Sequence, residues 1–118
     1  MGQAWKDAER EVAKFFGGMR RSRVSYSESV GDIIHPTYSI EVKYGSQIPN
    51  KALIGRSCKF LNKAFIQAIQ YEPTKIPVVC LKKPRQRGFV KIMFKDLTNP
   101  REGLYEYKVE LVLPSRKI

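Results

Sequence analysis

The sequence predicts a single α/β domain. Its 118 residues are 42% apolar, a length and composition that suit one compact domain with one core. Two segments repeat apolar residues at helical spacing, and between and after them lie short runs rich in β-branched and aromatic residues. Two domains of this combined length would each be too small for a core, so we assign residues 1–118 to one domain.

The charge balance narrows the choice of partner. Lys and Arg number 22 against 11 Asp and Glu, which gives a net charge of +11 and a pI near 9.9. Such a surface attracts polyanions. The sequence shows no membrane-length apolar span, no basic amphipathic helix with large apolar anchors, and no charged-then-apolar signal pattern at its start. We therefore expect a soluble nucleic-acid-binding protein of the cytoplasm, or of the host cytoplasm if a phage encodes it.

The first segment predicts an amphipathic helix. Trp5, Ala8 and Val12 recur at helical spacing, and the glycine pair at 17–18 is a typical stop. Glu9 lies four residues after Trp5 and three before Val12, which places it on the apolar stripe. Since burying an uncompensated carboxylate is costly, we expect Glu9 to be hydrogen-bonded, ion-paired or close to a cation.

Two adjacent strands are predicted next. Residues 31–34 and 38–44 are rich in β-branched and aromatic side chains and are separated by a turn around Pro36. Antiparallel pairing across that turn can bring Asp32, near the start of one strand, beside Glu41, near the end of the next. One short hairpin would then supply two carboxylates.

Strand alternation defines what surrounds those carboxylates. Glu41 and Lys43 share one face, and Ile40 and Val42 share the other. The pair of Asp32 and Glu41 is tolerated if a cation lies between the acids, if an ammonium compensates, or if one acid takes up a proton. Lys43 supplies an ammonium, and Mg²⁺ or Mn²⁺ would supply the remaining compensation. Such a metal activates water and offsets charge on phosphate, while Lys43 can orient the nucleophile.

The pattern alone is weak. Many proteins contain an acid followed after a variable gap by Glu-x-Lys, and such residues on a strand usually form a solvated face. The consecutive strands, the inward-facing Glu9 and the basic chain favour a site. His35, beside Pro36, is expected to be a solvated loop residue. Cys58 and Cys80, which lack zinc-site spacing, are expected to be buried, reduced thiols.

These residues resemble the PD-(D/E)XK nuclease superfamily, and their spacing is most similar to the archaeal-type and phage Holliday-junction resolvases. The resemblance covers residues 3–95, and Gly31 stands where the superfamily often has proline. It implies a restriction-endonuclease-like fold, with a central mixed sheet of about five strands flanked by helices. The resemblance rests on the following residues: Glu9, Asp32, Glu41, Val42 and Lys43.

The resemblance also implies roles. Asp32 and Glu41 would hold Mg²⁺, with Mn²⁺ as a substitute, and the main-chain carbonyl of Val42 would add a ligand. Lys43 would assist the attacking water, and Glu9 would belong to the same catalytic metal site. The implied protein is a homodimeric, Mg²⁺-dependent endonuclease that resolves four-way DNA junctions in recombination or repair. Two alternatives stay open: another nuclease of the superfamily that acts on linear duplex, and a basic DNA-binding module without chemistry.

The second half of the chain fits the same fold. Residues 58–70 predict a helix that packs on the sheet through Phe60 or Leu61 and through Ala64, Phe65, Ala68 and Ile69. Gln67 borders that stripe and is a secondary site candidate. Strands are predicted at residues 76–81, 89–94 and 104–113, the last at a sheet edge or an interface.

Two basic segments are candidates for contact with DNA phosphates. One follows the first helix, at residues 19–23, and is predicted to be a loop. The other joins two strands, at residues 82–88. With one further arginine on the first helix, the candidate residues are Arg10, Arg20, Arg21, Arg23, Lys82, Lys83, Arg85 and Arg87.

Overall fold

The computed structural model describes residues 4–20, 32–95 and 107–114, which contain three helices and six strands. The helices are α1 (Ala4–Phe16), α2 (Asn50–Leu53) and α3 (Lys59–Tyr71). The strands are β1 (Met19–Arg20), β2 (Ile33–Ile34), β3 (Tyr38–Tyr44), β4 (Ile76–Lys82), β5 (Phe89–Phe94) and β6 (Tyr107–Val112).

The described strands form one mixed sheet in the order β1-β2-β3-β4-β5-β6. β3 and β4 are parallel, and every other neighbouring pair is antiparallel. The parallel pair requires a crossover, which α2 and α3 provide. The predicted single α/β domain with a mixed sheet is therefore confirmed, with six described strands where about five were expected.

Helices cover both faces of this sheet. On one face, which we call the α3 face, Leu61 and Phe65 of α3 join a core with Leu81 and Ile92 of the strands. On the other, the α1 face, Val12 of α1 packs in a second core with strand residues of the opposite alternation. The buried strand residues of that second core are Ile33, Ile40, Val78, Cys80, Phe89 and Val112.

The predicted end of the first helix is confirmed. Gly17 has φ +70°, a left-handed conformation that glycine adopts without strain. The N–H of Gly18 donates to the carbonyl of Ala13 at 2.9 Å, and the N–H of Gly17 donates to the carbonyl of Lys14 at 3.3 Å. This pair of bonds is a Schellman motif, which satisfies the last helical carbonyls and turns the chain into β1.

Two predictions about local structure were wrong. Met19 and Arg20 do not lie in a loop, because they pair with Ile34 and Ile33 as strand β1. Ile69 is not on the buried stripe of α3 and is 42% exposed. The buried stripe is narrower than expected and consists of Leu61, Ala64, Phe65 and Ala68.

Some predicted segments lie outside the described residues. These are residues 21–23 of the first basic segment and the beginning of the last predicted strand, at 104–106. The described part of that strand, β6, lies at one end of the strand order, as expected for an edge. Within the described ranges, no helix has both the length and the apolar character needed to cross a membrane.

Candidate active site

Two acids meet where β2 pairs with β3. The antiparallel register sets Ile33 opposite Ile40, and the next step outward sets Asp32 opposite Glu41. Oδ2 of Asp32 accepts a hydrogen bond from the N–H of Val42 at 2.9 Å. The carboxyl groups of Asp32 and Glu41 are close enough to interact, and each shifts the pKa of the other. The hairpin therefore brings the two acids side by side, as antiparallel pairing around the turn predicts.

Lys43 lies on the same face of β3 as Glu41. Its Nζ is 3.0 Å from Oε2 of Glu41. The Glu41 side chain is 5% exposed and that of Lys43 is 31% exposed, so the carboxyl lies at the base of the site and the ammonium lies at its opening. Ser39, next on this face, is buried, and its hydroxyl donates to the carbonyl of Ala68 at 2.5 Å, which fixes α3 over the strand.

Burial and mutual repulsion favour a proton on the acid pair. Burial raises the pKa of Glu41 to about 7, the neighbouring Asp32 charge adds to the shift, and the Lys43 ammonium opposes it. Burial likewise raises the pKa of Asp32, against the hydrogen bond from the Val42 N–H. The pair therefore resists becoming a dianion near neutral pH unless a cation compensates.

Glu9 is ion-paired, which is one of the compensations expected for an inward-facing acid. Nε of Arg20 donates to its Oε1 at 2.6 Å, and both side chains are largely buried. Burial raises the pKa of Glu9, the bond from Arg20 opposes that shift, and repulsion from Asp32 adds to it. Arg20 also lies over the ring of Trp5, 5.4 Å from its centroid. Glu9 and Arg20 thus border the acid pair but bind each other.

The donor set for a metal is small. Among the described residues, no group of three or more His, Cys, Asp and Glu side chains could hold a metal ion. Glu9 is held by Arg20, which leaves Asp32 and Glu41, with the carbonyl of Val42 on the strand between Glu41 and Lys43. These are all hard oxygen donors, the type that Mg²⁺ and Mn²⁺ prefer.

Helix α3 contributes two polar groups on the side of the site. Burial raises the pKa of Tyr71, and the negative charge of Glu41 adds to the shift, so the phenol lies within electrostatic reach of the acid pair. Gln67 precedes Tyr71 by one turn, and residues four apart lie on the same side of a helix. The Oε1 atom of Gln67 is buried and has no hydrogen-bond partner among the described residues.

Tyr71 was missed in the sequence. The predicted helix ended at residue 70, whereas α3 continues to Tyr71. A signal was available, because Gln67 and Tyr71 are polar or amphipathic residues four apart that border the apolar stripe. That spacing would have put both residues on one flank of the helix that follows the Glu-x-Lys strand.

The predicted DNA contacts divide into paired and unpaired residues. Nζ of Lys82 is 2.6 Å from Oε1 of Glu11, an ion pair that joins β4 to α1. Arg10 pairs with Asp7 at 2.9 Å on the exposed side of α1. Lys82 is therefore structural rather than free, and Arg10 is only partly neutralised because its pair is solvated.

The loop at residues 83–88 retains free cations. Nζ of Lys83 donates to Oδ1 of Asn50 at 2.9 Å, a neutral partner that leaves its charge uncompensated. Arg85 and Arg87 are exposed and form no ion pair with any described residue. Arg21 and Arg23 lie outside the described residues.

His35 organises the β2–β3 turn. Its Nδ1 accepts from the N–H groups of Thr37 and Tyr38 at 3.0 and 3.1 Å, and Nε2 lies 3.0 Å from the carbonyl of Phe16. A carbonyl only accepts, so Nε2 is the donor to Phe16 and Nδ1 is the acceptor from the turn. The expectation of a solvated loop residue was therefore incomplete, since His35 is half-buried and joins the turn to the end of α1.

No family model, curated protein or solved structure matches this chain at a significant level. Its chemistry must therefore be inferred from its own residues. They are two apposed carboxyl groups, a neighbouring ammonium, and two polar side chains on α3.

Proposed function

We propose that this protein is a divalent-metal-dependent endonuclease with the restriction-endonuclease-like fold of the PD-(D/E)XK superfamily. The observation that carries the proposal is the contact between Asp32 and Glu41, with the Lys43 ammonium 3.0 Å from Glu41. Carboxylates repel phosphate, so a protein that only binds a polyanion has no use for an apposed, buried pair. A protein that hydrolyses phosphodiesters does, because the pair can bind the cation that the reaction needs.

The residues present fit a hard divalent cation. Asp32, Glu41 and the main-chain carbonyl of Val42 would hold Mg²⁺, with Mn²⁺ as a substitute. Burial and the Asp32 charge raise the pKa of Glu41, so the acid pair favours a proton, and a cation would replace that proton. When bound, the metal would lower the pKa of a water and offset negative charge on the phosphate.

The other side chains have separate tasks. Lys43 has only donors, and at the opening of the site it can hold the attacking water or a phosphate oxygen. The Tyr71 hydroxyl and the Gln67 amide can position the phosphate from the α3 side. α3 also excludes water from the base of the site, which strengthens every electrostatic interaction there.

Branched DNA is the proposed substrate. A net charge of +11 favours encounter with nucleic acid, and the resemblance to junction resolvases indicates a four-way junction. A junction with near two-fold symmetry suits a homodimer, which presents two matching sites. The proposed biological setting is DNA recombination or repair.

The test is cleavage of a labelled four-way junction by the purified protein. We expect cleavage with Mg²⁺ or Mn²⁺ and none in EDTA. Asp32→Asn and Glu41→Gln should each slow cleavage by about 100-fold or more, because each removes a charged ligand of the metal that would offset negative charge in the transition state. Asp7→Asn is the matched control, since it neutralises a carboxylate on α1, where the side chain is 69% exposed and pairs with Arg10.

The outcomes separate the three interpretations. A linear duplex of the same sequence, cut as fast as the junction, would indicate a nuclease without preference for branches. Binding that falls with salt, with no cleavage under any metal condition, would indicate a binding module. Undiminished cleavage by Glu41→Gln would refute the assignment of the site.

A further inference from the structure

A stretch of the chain next to the site carries cations only. Between Glu41 and Glu72 the sequence contains no acid. Beyond Lys43, its cations lie on α2, on the turn after it and on α3. They are Lys51, Arg56, Lys59 and Lys63. All four are exposed and form no ion pair with any described residue, so their charges are free to meet an anion.

The two lysines of α3 stand on a row that leads to the site. Lys59, Lys63, Gln67 and Tyr71 follow one another at intervals of four residues, which forms one ridge along a helix. Each step rises about 6 Å. The ridge therefore begins with two ammonium groups at the start of α3 and ends at the phenol within electrostatic reach of Glu41.

α3 crosses the sheet from the β6 side to the β3 side. Near its start, Oδ1 of Asn62 accepts from the hydroxyl of Tyr107 of β6 at 2.8 Å, and near its end the carbonyl of Ala68 accepts from the hydroxyl of Ser39 of β3. β6 and β3 lie on different sides of β4 and β5 in the sheet. The ridge therefore runs from the β6 side toward the acid pair on β3.

The cationic surface continues beyond α3. The N–H of Arg56 donates to the carbonyl of Lys51 at 2.9 Å, which folds the turn after α2 back on that helix. The Lys83 ammonium bonds to Asn50 at the start of α2, so the loop at residues 83–88 adjoins the same surface. Free cations of α2, of the turn after it and of this loop therefore lie close together, and α3 begins three residues after Arg56.

We infer that the ridge of Lys59 and Lys63, with Arg56 and Lys51, binds the phosphate backbone of the DNA strand whose scissile linkage lies at the acid pair. A row of exposed cations that ends at a buried anionic site matches a linear polyanion. The contact is to phosphates, so it is independent of base sequence. The position of the scissile linkage rests on the proposed function, whereas the phosphate contact does not.

The test compares two variants of equal charge. The ridge variant is Lys59→Gln/Lys63→Gln, and the control is Lys14→Gln/Lys95→Gln, which neutralises two exposed cations elsewhere. Binding to a labelled junction is measured by fluorescence anisotropy in EDTA between 50 and 200 mM salt. We expect the ridge variant to reduce the magnitude of the slope of log K against log salt by about 2, and the control by less than about 1. Equal losses in both variants, or an unchanged slope in the ridge variant, would overturn the inference.

Cleavage in Mg²⁺ supplies the second measurement. The ridge variant should raise KM about tenfold or more and leave kcat within about twofold, because phosphate contacts outside the reacting centre contribute uniform binding. Lys63→Gln alone should lower the salt slope by about 1. If the wild type binds through the ridge but never cleaves, the proposed function fails and the phosphate surface stands. If it cleaves and the ridge variant binds like the wild type, the inference fails and the nuclease stands.

Discussion

At the scale of single residues, the site is an unfavourable arrangement maintained by its surroundings. Asp32 and Glu41 lie side by side, burial raises the pKa of both, and the Asp32 charge raises the pKa of Glu41 further. The Val42 N–H and the Lys43 ammonium compensate only in part. Residues held this way are typical of functional sites, because the missing compensation is what a ligand or metal supplies.

The acid pair makes stability depend on pH in a specific direction. The folded-state pKa of Glu41, about 7, lies above its ordinary value of 4.5. The folded protein therefore binds this proton more tightly than the unfolded chain, and the resulting stability is fully present below about pH 4.5 and is lost as the pH rises through 7. The raised pKa of Asp32 acts in the same direction. We measure the free energy of unfolding in urea with EDTA present, at pH 5 and at pH 8. Between these pH values, the wild type should lose roughly 2 kcal/mol more than Glu41→Gln loses.

A divalent cation should reverse that loss. Mg²⁺ at pH 8 should raise the melting temperature of the wild type, since a ligand that binds only the folded state stabilises it. Glu41→Gln, which retains one carboxylate, should respond much less. A melting temperature that rises equally in both proteins would mean that the cation binds elsewhere.

Gln67 allows a structural role to be separated from a functional one. Its buried Oε1 lacks a partner among the described residues, so Gln67→Met should stabilise the fold by about 1 kcal/mol. The same change should slow junction cleavage about tenfold if the amide serves the phosphate. Gln70→Met, at an exposed position of the same helix, is the control and should change neither quantity. A less stable Gln67→Met protein that cleaves normally would contradict the assignment.

At the scale of elements, the helices and strands that the sequence predicted are those whose apolar side chains repeat in a recognisable pattern. β4 was predicted from an unbroken apolar run, and α1 from its spacing and glycine stop. The adjacency of Asp32 and Glu41 followed from one turn and strict alternation. β1 and α2 were not predicted, because two- and four-residue elements are formed by tertiary pairing and carry no period of their own.

The β2–β3 turn depends on one imidazole. His35 accepts two backbone N–H groups and donates to the last residue of α1, so it joins the hairpin that carries both acids to the first helix. His35→Ala should lower the free energy of unfolding by about 1 to 3 kcal/mol, because it leaves half-buried backbone groups unpaired. Lys75 donates to the His35 carbonyl rather than to the ring. Lys75→Met therefore tests the outer part of the same turn and should lower the free energy of unfolding by less than His35→Ala does. Urea denaturation measures both, and equal stability of His35→Ala and wild type would exclude this role.

At the scale of the whole molecule, charge is unevenly distributed. Residues 42–95 contain twelve Lys and Arg but only one acid, Glu72. Several of these cations are paired within the fold, as Lys82 is with Glu11, and most of the exposed cations without an ion pair among the described residues lie on α2, α3, the turn between them and the loop at 83–88. The proposed contact with DNA requires such an uneven distribution.

The edge strand β6 is the surface best suited to contact a second copy of this chain. β6 pairs with β5 on one side and with no described strand on the other, and Val109 and Leu111 are 38% and 58% exposed. Antiparallel pairing of two β6 strands about Val109 would set Lys108 of each copy opposite Glu110 of the other. An exposed, apolar edge strand favours such pairing.

The expected homodimer can be tested through that edge. Light scattering should give twice the chain mass of 13.6 kDa for the wild type, and the mass of one chain for Val109→Lys/Leu111→Lys. Lys108→Glu should weaken the dimer, because it sets like charges opposite each other across the pair, whereas Lys95→Glu, with the same change of charge, should not. Salt should favour the dimer by screening repulsion between two copies of charge +11, while it weakens DNA binding. A wild type that stays monomeric at high salt, or a dimer unaffected by the double substitution, would exclude β6 as the interface.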